Sequence, residues 1–386
     1  MRGDGQPPDP CRSRYRPEAL VLVFALFSGD PCAAAAQSAG NQSPGAPAPA
    51  PPLSAPEPEP EPEPDPKYPR ISLGTLTYLQ YAAELKNRDG FNAFDLTRGY
   101  INITGDITKN VKFRLTPDFK RVDDGSLSGS LVFRLKYGYV ELHELTPKGW
   151  LRFGLHQTPW LDFEESINRY RVQGTMFAER EGVIPGSGDF GAGYLARLPS
   201  GYGEINVGVY NGEGFTHAEV DKRKSIQARL TIRPLAHLDP AGDRAKGLRL
   251  SAFYDAGWYA KDRPRRHGIV MVSYDHSHFV GTAQWLAGTM RPPPFSVDTD
   301  FRGYSVFGEV RQGKEGWAGT ARFDRFDPND RVSGNAHRRT IAGVAYWLAW
   351  SSARIGLVVN DEDVRYDGAA GRPNENRVLF QTHVQF

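Results

Sequence analysis

The chain has 386 residues, a formal net charge of +2 and 39% hydrophobic residues, and its mean hydropathy is −0.50. Its longest clean apolar run, residues 19–27, is far shorter than the roughly 20 residues that a membrane-spanning helix needs. These values exclude a bundle of transmembrane helices.

The amino terminus has the order of a secretory signal peptide. Basic residues at positions 12, 14 and 16 precede the apolar run, and alanines at 33–36 follow it. This basic, apolar, small-residue order predicts a signal peptide over residues 1–36, cleaved near Ala36. Both cysteines, Cys11 and Cys32, fall before that point, so the exported chain would carry no thiol. Lipid attachment at Cys32 is the weaker alternative.

Residues 37–68 are rich in proline and end in Pro-Glu repeats with carboxylates at 57, 59, 61, 63 and 65. Such a composition cannot bury a core, and proline favours an extended chain of about 3 Å per residue. We therefore predict a disordered periplasmic spacer, followed by a folded domain over residues 69–386. Because residues 1–66 are acidic, that domain carries a surplus of about seven basic residues.

The folded domain shows strand periodicity in many short stretches. In the clearest, residues 226, 228, 230 and 232 are apolar, whereas 227, 229, 231 and 233 are polar or charged. Stretches at 111–116, 131–136, 151–156, 248–255 and 353–360 repeat this design. Alternation with a period of two predicts antiparallel strands with one apolar and one polar face.

The intervals between these strands distinguish a membrane barrel from a soluble sandwich, which would also alternate. Short intervals such as 105–110, 144–149 and 275–278 are interspersed with long ones such as 119–130, 158–187 and 211–223. Short periplasmic turns and long outer loops characterise outer-membrane barrels. The pattern predicts an all-β transmembrane antiparallel β-barrel of about 16 strands. Residues 234–246 are long where a short turn is due, so the count could differ by two.

Aromatic residues and the carboxyl terminus support the same prediction. All seven tryptophans lie in or beside predicted strands, where interfacial girdles would place them. The last stretch alternates and closes on Phe386, as outer-membrane barrels commonly do. Four stretches, 71–81, 94–103, 279–287 and 340–350, are apolar on both faces. Either subunit contacts or wrong registers would explain them.

Several short motifs resemble the phosphate-selective porin O and P family over residues 69–386. They are RGYINITG at 98–105, LHQTPW at 155–160, VYNGEG at 209–214 and RFDPN at 325–329. The resemblance implies a sixteen-stranded homotrimeric barrel whose third outer loop, here 158–187, folds into the lumen. Family members selective for phosphate place clustered Lys and Arg at that constriction. This loop has no lysine and several carboxylates, so it departs from that pattern.

The polar strand faces predict a water-filled channel, since sixteen strands enclose more than side chains can fill. Their basic residues would line it and favour anions through a positive potential. The predicted set is Lys112, Arg114, Arg134, Lys136, Arg152, Arg229, Arg249 and Arg322 from strands, and Arg169, Arg171 and Arg180 from the loop. Acidic loop residues at the constriction are Asp162, Glu164 and Glu165. Alternatively, the basic wall and the acidic loop create a transverse field that orients dipolar solutes.

These features predict an outer-membrane porin for passive diffusion of small hydrophilic solutes, with a preference for anions and phosphate as one candidate. The expected partners are outer-membrane lipid, lipopolysaccharide, two further copies of the chain and small anionic or polar solutes, without nucleic acid. No catalytic residue, cofactor or metal is expected, because the sequence lacks His-Glu-x-x-His and Gly-x-Ser-x-Gly motifs. An outer-membrane barrel hydrolase and a structural barrel with a periplasmic tether are the alternatives.

Overall fold

A computed structural model describes residues 67–88, 90–122, 125–145, 148–219, 222–238, 247–260, 263–291 and 297–386. The predicted signal peptide, and the Pro/Glu-rich segment up to residue 66, lie outside these residues. Within the described ranges, no helix has the length and apolarity needed to cross a membrane.

Sixteen strands form one closed antiparallel barrel, in which each strand pairs with its neighbours in the chain and the first pairs with the last. This confirms the predicted fold class and strand number. The strands are β1 (Arg70–Lys86), β2 (Asn92–Asp106), β3 (Val111–Arg121), β4 (Leu131–His143), β5 (Trp150–Gln157), β6 (Gly188–Arg197), β7 (Gly203–Tyr210), β8 (Ser225–Ile232), β9 (Gly247–Ala260), β10 (Arg263–Asp275), β11 (Phe279–Met290), β12 (Thr299–Arg311), β13 (Gly316–Asp327), β14 (His337–Trp350), β15 (Ala353–Tyr366) and β16 (Glu375–Gln385).

The wall of the barrel is apolar outside and polar inside, the reverse of a soluble barrel. In β8 the side chains of Ile226, Leu230 and Ile232 are exposed, whereas Gln227 and Arg229 are buried. A strand can satisfy both environments because its side chains alternate between faces. The outer face therefore suits lipid, and the inner face can line a channel.

The two rims of the barrel carry different connections. The intervals 107–110, 144–149, 198–202, 276–278, 312–315 and 351–352 share one rim, here called the short-turn rim, with the longer interval between β8 and β9. The opposite rim, called the long-loop rim, holds the interval 158–187. The hairpin of β9 and β10, which pair from Arg263 and Ala260 onward, is not among the predicted intervals. That hairpin completes the count of sixteen.

A register shift changes which side chains face the interior in the pairing of β1 with β2 and in the pairing of β3 with β4. The pairing of β1 with β2 shifts next to Tyr78, and the pairing of β3 with β4 shifts between Thr116 and Pro117. An extra residue in one strand disrupts the alternation locally. As a result, the adjacent residues Lys136 and Tyr137 of β4 are both buried.

The interval 158–187 contains two short helices, α1 (Leu161–Ile167) and α2 (Phe177–Arg180). Trp160, Met176 and Phe177 are completely buried in one apolar cluster with residues of β9–β15. Phe177 packs edge-on against Phe326, with ring centroids 6.2 Å apart. We call the inner face of β9–β15, where this cluster lies, the packed side.

This cluster explains two of the four stretches that were apolar on both faces. Val280 and Leu286 of β11 belong to it, as do Ala345 and Trp347 of β14. Their neighbours in sequence face outward. The second apolar face of these strands therefore packs against 158–187, and neither a wrong register nor a subunit contact is needed to explain it.

Replacing Phe177 with alanine should lower the free energy of unfolding by about 3–5 kcal/mol, because the ring is fully buried and would leave a cavity. Chemical unfolding of the purified protein in detergent measures this loss. Phe153→Ala is the matched control, since that ring is 74% exposed on the outer face. Equal losses in the two variants would contradict the packing described here.

Candidate functional site

Residues 158–187 are bonded to inner-face side chains around much of the barrel. Two of these hydrogen bonds reach backbone carbonyls of the loop: Arg229 of β8 donates to Pro159 at 2.8 Å, and Gln381 of β16 donates to Val172 at 2.7 Å. Two others join side chains: Gln284 of β11 donates to Glu164 at 2.6 Å, and Gln173 donates to Thr320 of β13 at 3.2 Å. In addition, Arg169 donates to the carbonyl of Lys314 at 2.9 Å, in a turn of the short-turn rim. These contacts hold residues 158–187 against inner-face side chains of several strands.

A cavity of about 400 Å³ lies where inner-face residues of β1–β4 and β16 meet the loop. We call this region the open side. Six basic residues and two acidic residues line it, namely Arg98, Lys120, Arg134, Lys136, Arg171 and Arg377 with Asp118 and Glu179. The cavity therefore has a cationic lining.

The arginines of the open side differ in how far their charge is compensated. Arg134 donates to the carboxylate of Asp118 at 2.9 Å, an ion pair that also orients the guanidinium group. Arg114 donates instead to the neutral oxygens of Asn102 at 2.8 Å and Thr116 at 2.9 Å. The positive charge of Arg114 is therefore less compensated than that of Arg134.

Lys136 and Arg98 are the two buried basic residues of this lining that lack a hydrogen-bonded carboxylate among the described side chains outside the loop helices. The Lys136 side chain is buried, and among the described residues it has no hydrogen-bond or ion-pair partner; its Nζ lies 4.2 Å from the ring centroid of Phe215. Arg98 forms a long ion pair with Glu165 at 3.9 Å, without a hydrogen bond between the two groups. Sequence reasoning missed Arg98, because β2 has apolar residues on both faces and its alternation shifts at Thr97.

The other predicted strand cations lie elsewhere. Lys112 is exposed at the short-turn end of β3, 3.6 Å from Asp106. Arg152 pairs with Glu141 at 2.5 Å. Arg249 lines a separate cavity of about 260 Å³ near the short-turn rim. Buried Arg229 pairs at 2.6 Å with Glu204, which lines that same cavity. Arg322 is buried on the packed side and pairs with Asp324 at 2.9 Å.

The three predicted loop cations are all engaged by carboxylates. Arg169 donates to Glu309 at 2.8 Å, and Arg180 lies 3.9 Å from Glu362. Arg171 bridges Glu165 and Glu179, each at 2.6 Å, and so ties α1 to α2. These arginines serve first to hold the loop in place.

The three predicted constriction acids do not form one group. Asp162 is exposed, and Glu165 is partly exposed on the open side. Glu164 is buried and accepts hydrogen bonds from the indole of Trp160 at 3.0 Å and from Gln284 at 2.6 Å. The difference arises because residues 161–167 form a helix, where consecutive side chains point about 100° apart. The sequence analysis treated this stretch as irregular loop.

The two neighbouring glutamates of α1, which lies outside the spanning strands, titrate in opposite directions. Burial raises the pKa of Glu164 to about 7. Burial would also raise the pKa of Glu165, but the guanidinium groups of Arg171 and Arg98 outweigh it and lower that pKa. Packing thus favours the protonated form of Glu164, and ion pairing favours the charged form of Glu165.

Since the pKa of Glu164 is raised by folding, its contribution to stability is fully present below its ordinary pKa of 4.5 and is lost as the pH rises to about 7. Glu164→Gln should remove this loss, so its melting temperature should fall less than that of the wild type between about pH 5 and pH 8. Glu165→Gln is the matched control, because its pKa shifts the opposite way. Parallel pH profiles for wild type and Glu164→Gln would contradict this assignment.

The hydrolase alternative gains no support from the polar cluster on β8–β10. The Ser225 hydroxyl donates to Asp255, and His267 Nδ1 lies 3.9 Å from that same carboxylate. In an activated serine nucleophile, the hydroxyl would instead donate its hydrogen bond to the histidine that acts as the base. Over the described ranges, no group of three or more His, Cys, Asp or Glu residues could hold a metal ion.

The fold is that of outer-membrane porins. The anion-selective porin of Comamonas acidovorans matches with a TM-score of 0.59 and 14% identity over 82% of this chain and 100% of its own. OmpF of Salmonella typhi, solved with daunomycin, matches with 0.57 and 12% over 82% and 97%. The outer-membrane channel DcaP of Acinetobacter baumannii matches with 0.56 and 12% over 82% and 97%.

No protein-family model and no curated protein matches the sequence. The structural matches share little sequence identity and establish the fold alone. The apolar outer face and polar inner face of the barrel suit an outer-membrane location. The resemblance to the phosphate-selective O and P family stays a prediction.

Proposed function

We propose that this protein is an outer-membrane porin through which small hydrophilic solutes diffuse passively, with a preference for anions. The observation that carries this proposal is the cationic lining of the cavity on the open side, next to the apolar cluster of the packed side. Diffusion needs no catalytic group, only polar surfaces that replace part of the solute's hydration and a field that sorts charges.

The preference for anions follows from which charges remain uncompensated. Ion pairs with Asp118 and Glu141 reduce the fields of Arg134 and Arg152. Arg98 and Lys136, by contrast, have no hydrogen-bonded carboxylate among the described residues, and low-dielectric walls focus their field. A positive potential at this point would raise the local concentration of anions.

A transverse field is the competing proposal within transport. It requires a strong acidic surface on the loop, facing the basic wall. Of the three predicted acids, Glu164 faces the packed side, and Glu165 is bonded to Arg171. Asp162 is left as the exposed carboxylate. This imbalance favours net anion preference over simple orientation of dipoles.

Location and assembly complete the proposal. Residues 1–36 would direct export, the short-turn rim would face the periplasm, and the outer face would contact lipid and lipopolysaccharide. Loop 158–187 would narrow the channel, and three copies would assemble. Among the similar structures, the Comamonas acidovorans protein is named as anion-selective, which supports the preference for anions. Phosphate is one candidate among these anions.

In planar bilayers under a salt gradient, the purified protein should show a reversal potential on the anion side. A triple variant, Arg114→Gln with Arg134→Gln and Arg152→Gln, should shift it toward the cation side, because Asp118 and Glu141 would lose their partners. The matched control replaces three exposed arginines, Arg302, Arg338 and Arg372, in the same way.

Reversal of the wild type on the cation side would refute the basic-channel argument. A hydrolase or a structural tether need form no stable channel, so the absence of any conductance would refute the porin proposal itself. High salt should weaken the selectivity of the wild type, since the field is screened within about 3 Å at 1 M.

A further inference from the structure

Two buried basic residues of the open side, Arg98 and Lys136, lie near the same aromatic ring, and their one ion pair among the described residues is the long contact of Arg98 with Glu165 at 3.9 Å. The Arg98 Cζ is 4.9 Å and the Lys136 Nζ 5.6 Å from the ring centroid of Tyr100. Arg98 is 9% exposed and Lys136 is 3% exposed. Like charges placed together away from water are costly unless an anion joins them. The pair is therefore suited to receive an anionic group.

Aromatic rings surround this pair where water would otherwise lie. The Lys136 Nζ is 4.2 Å from the ring centroid of Phe215, and the Arg98 Cζ is 5.4 Å from that of Tyr78. Tyr78, Tyr100 and Phe215 all line the same cavity. An anion that reaches the two cations would meet apolar and aromatic surface beside them.

The position of Phe215 depends on the neighbouring loop. Its backbone N–H donates to the carbonyl of Gly188 at 2.9 Å. A Cβ on Gly186 would come within 3.2 Å of the Phe215 ring, so glycine there lets the ring pack closely. The ring is thus held in place over the cavity.

Size and charge both favour an organic anion over an inorganic one. The cavity measures about 400 Å³, whereas a cavity of roughly 150 Å³ is enough to hold benzene. Three other cations of the lining are engaged by carboxylates, Arg134 by Asp118, Arg171 by Glu165 and Glu179, and Arg377 by Glu362, whereas Lys120 is exposed. Arg98, whose ion pair with Glu165 is long at 3.9 Å, and Lys136 together match one carboxylate, which a guanidinium group binds in a bidentate manner, better than they match a multiply charged phosphate.

We propose that Arg98 and Lys136 bind the carboxylate of small aromatic carboxylic acids, with the solute's ring against Tyr100 and Phe215. The site rests on the proposed channel function and would make passage of such solutes saturable. Aromatic pairs gain attraction beyond the area that they bury. A flat aromatic ring should therefore bind better than a saturated ring of the same size.

The test uses the full-length protein in planar bilayers, with chloride as the current carrier. Benzoate should reduce the chloride current in a saturable manner. Its half-blocking concentration should be about fivefold lower than that of cyclohexanecarboxylate, as expected from the added aromatic attraction. Acetate and inorganic phosphate should block more weakly than benzoate.

Two variants test the charged part and the aromatic part of the site separately. Lys136→Met should raise the half-blocking concentration of both ring acids. Phe215→Leu should leave block in place but remove the advantage of benzoate over cyclohexanecarboxylate. Lys109→Met, in an exposed turn, and Phe153→Leu, on the outer face, are the matched controls and should behave like the wild type.

Equal block by benzoate and cyclohexanecarboxylate would overturn the aromatic part of the proposal. Block by phosphate at least as strong as by benzoate would assign the pair to inorganic oxyanions and overturn it as well. An anion-selective channel that benzoate does not block would overturn this site while leaving the porin proposal intact. A protein that forms no channel would overturn both.

Discussion

The organisation of the interior depends on one interaction, the packing of the apolar residues of 158–187 against the inner face of β9–β15. A barrel of sixteen strands is too wide for the side chains of its wall to fill it. The space that remains inside therefore depends on which loop residues occupy the interior. Trp160, Met176 and Phe177 anchor the loop in a cluster that excludes water from the packed side. The cavity with the cationic lining lies on the open side.

Much of the fold could be predicted from the sequence because the barrel wall has an apolar outer face and a polar inner face. A strand such as β8 must alternate, since Ile226 and Leu230 are exposed on the outer face whereas Gln227 and Arg229 are buried on the inner face. Connection lengths then identify the rims, and together they give a barrel of sixteen strands. The prediction succeeded where a residue's environment depends only on which face it occupies.

The remaining features depend on contacts between residues far apart in the chain. Trp347 breaks the alternation of β14 because its ring packs against Tyr170, and a period-two pattern carries no such information. Glu164 and Glu165 are adjacent and chemically identical, but only the fold shows which one is buried. Arg98 was missed because a one-residue register shift moves every later side chain to the other face.

The number of charged residues on the strands is also a poor guide to the electrostatic potential inside the barrel. A charge that is paired with an opposite charge contributes little to the potential at a distance. On the packed side, Arg322 and Arg339 are bonded to Asp324 and Glu362. Such pairs place large charges in the interior yet add little net potential. On the open side, Lys136 and Arg98 lack such bonds among the described residues. Which charges act inside the barrel therefore depends on pairings between strands and loop that a count of charged residues does not contain.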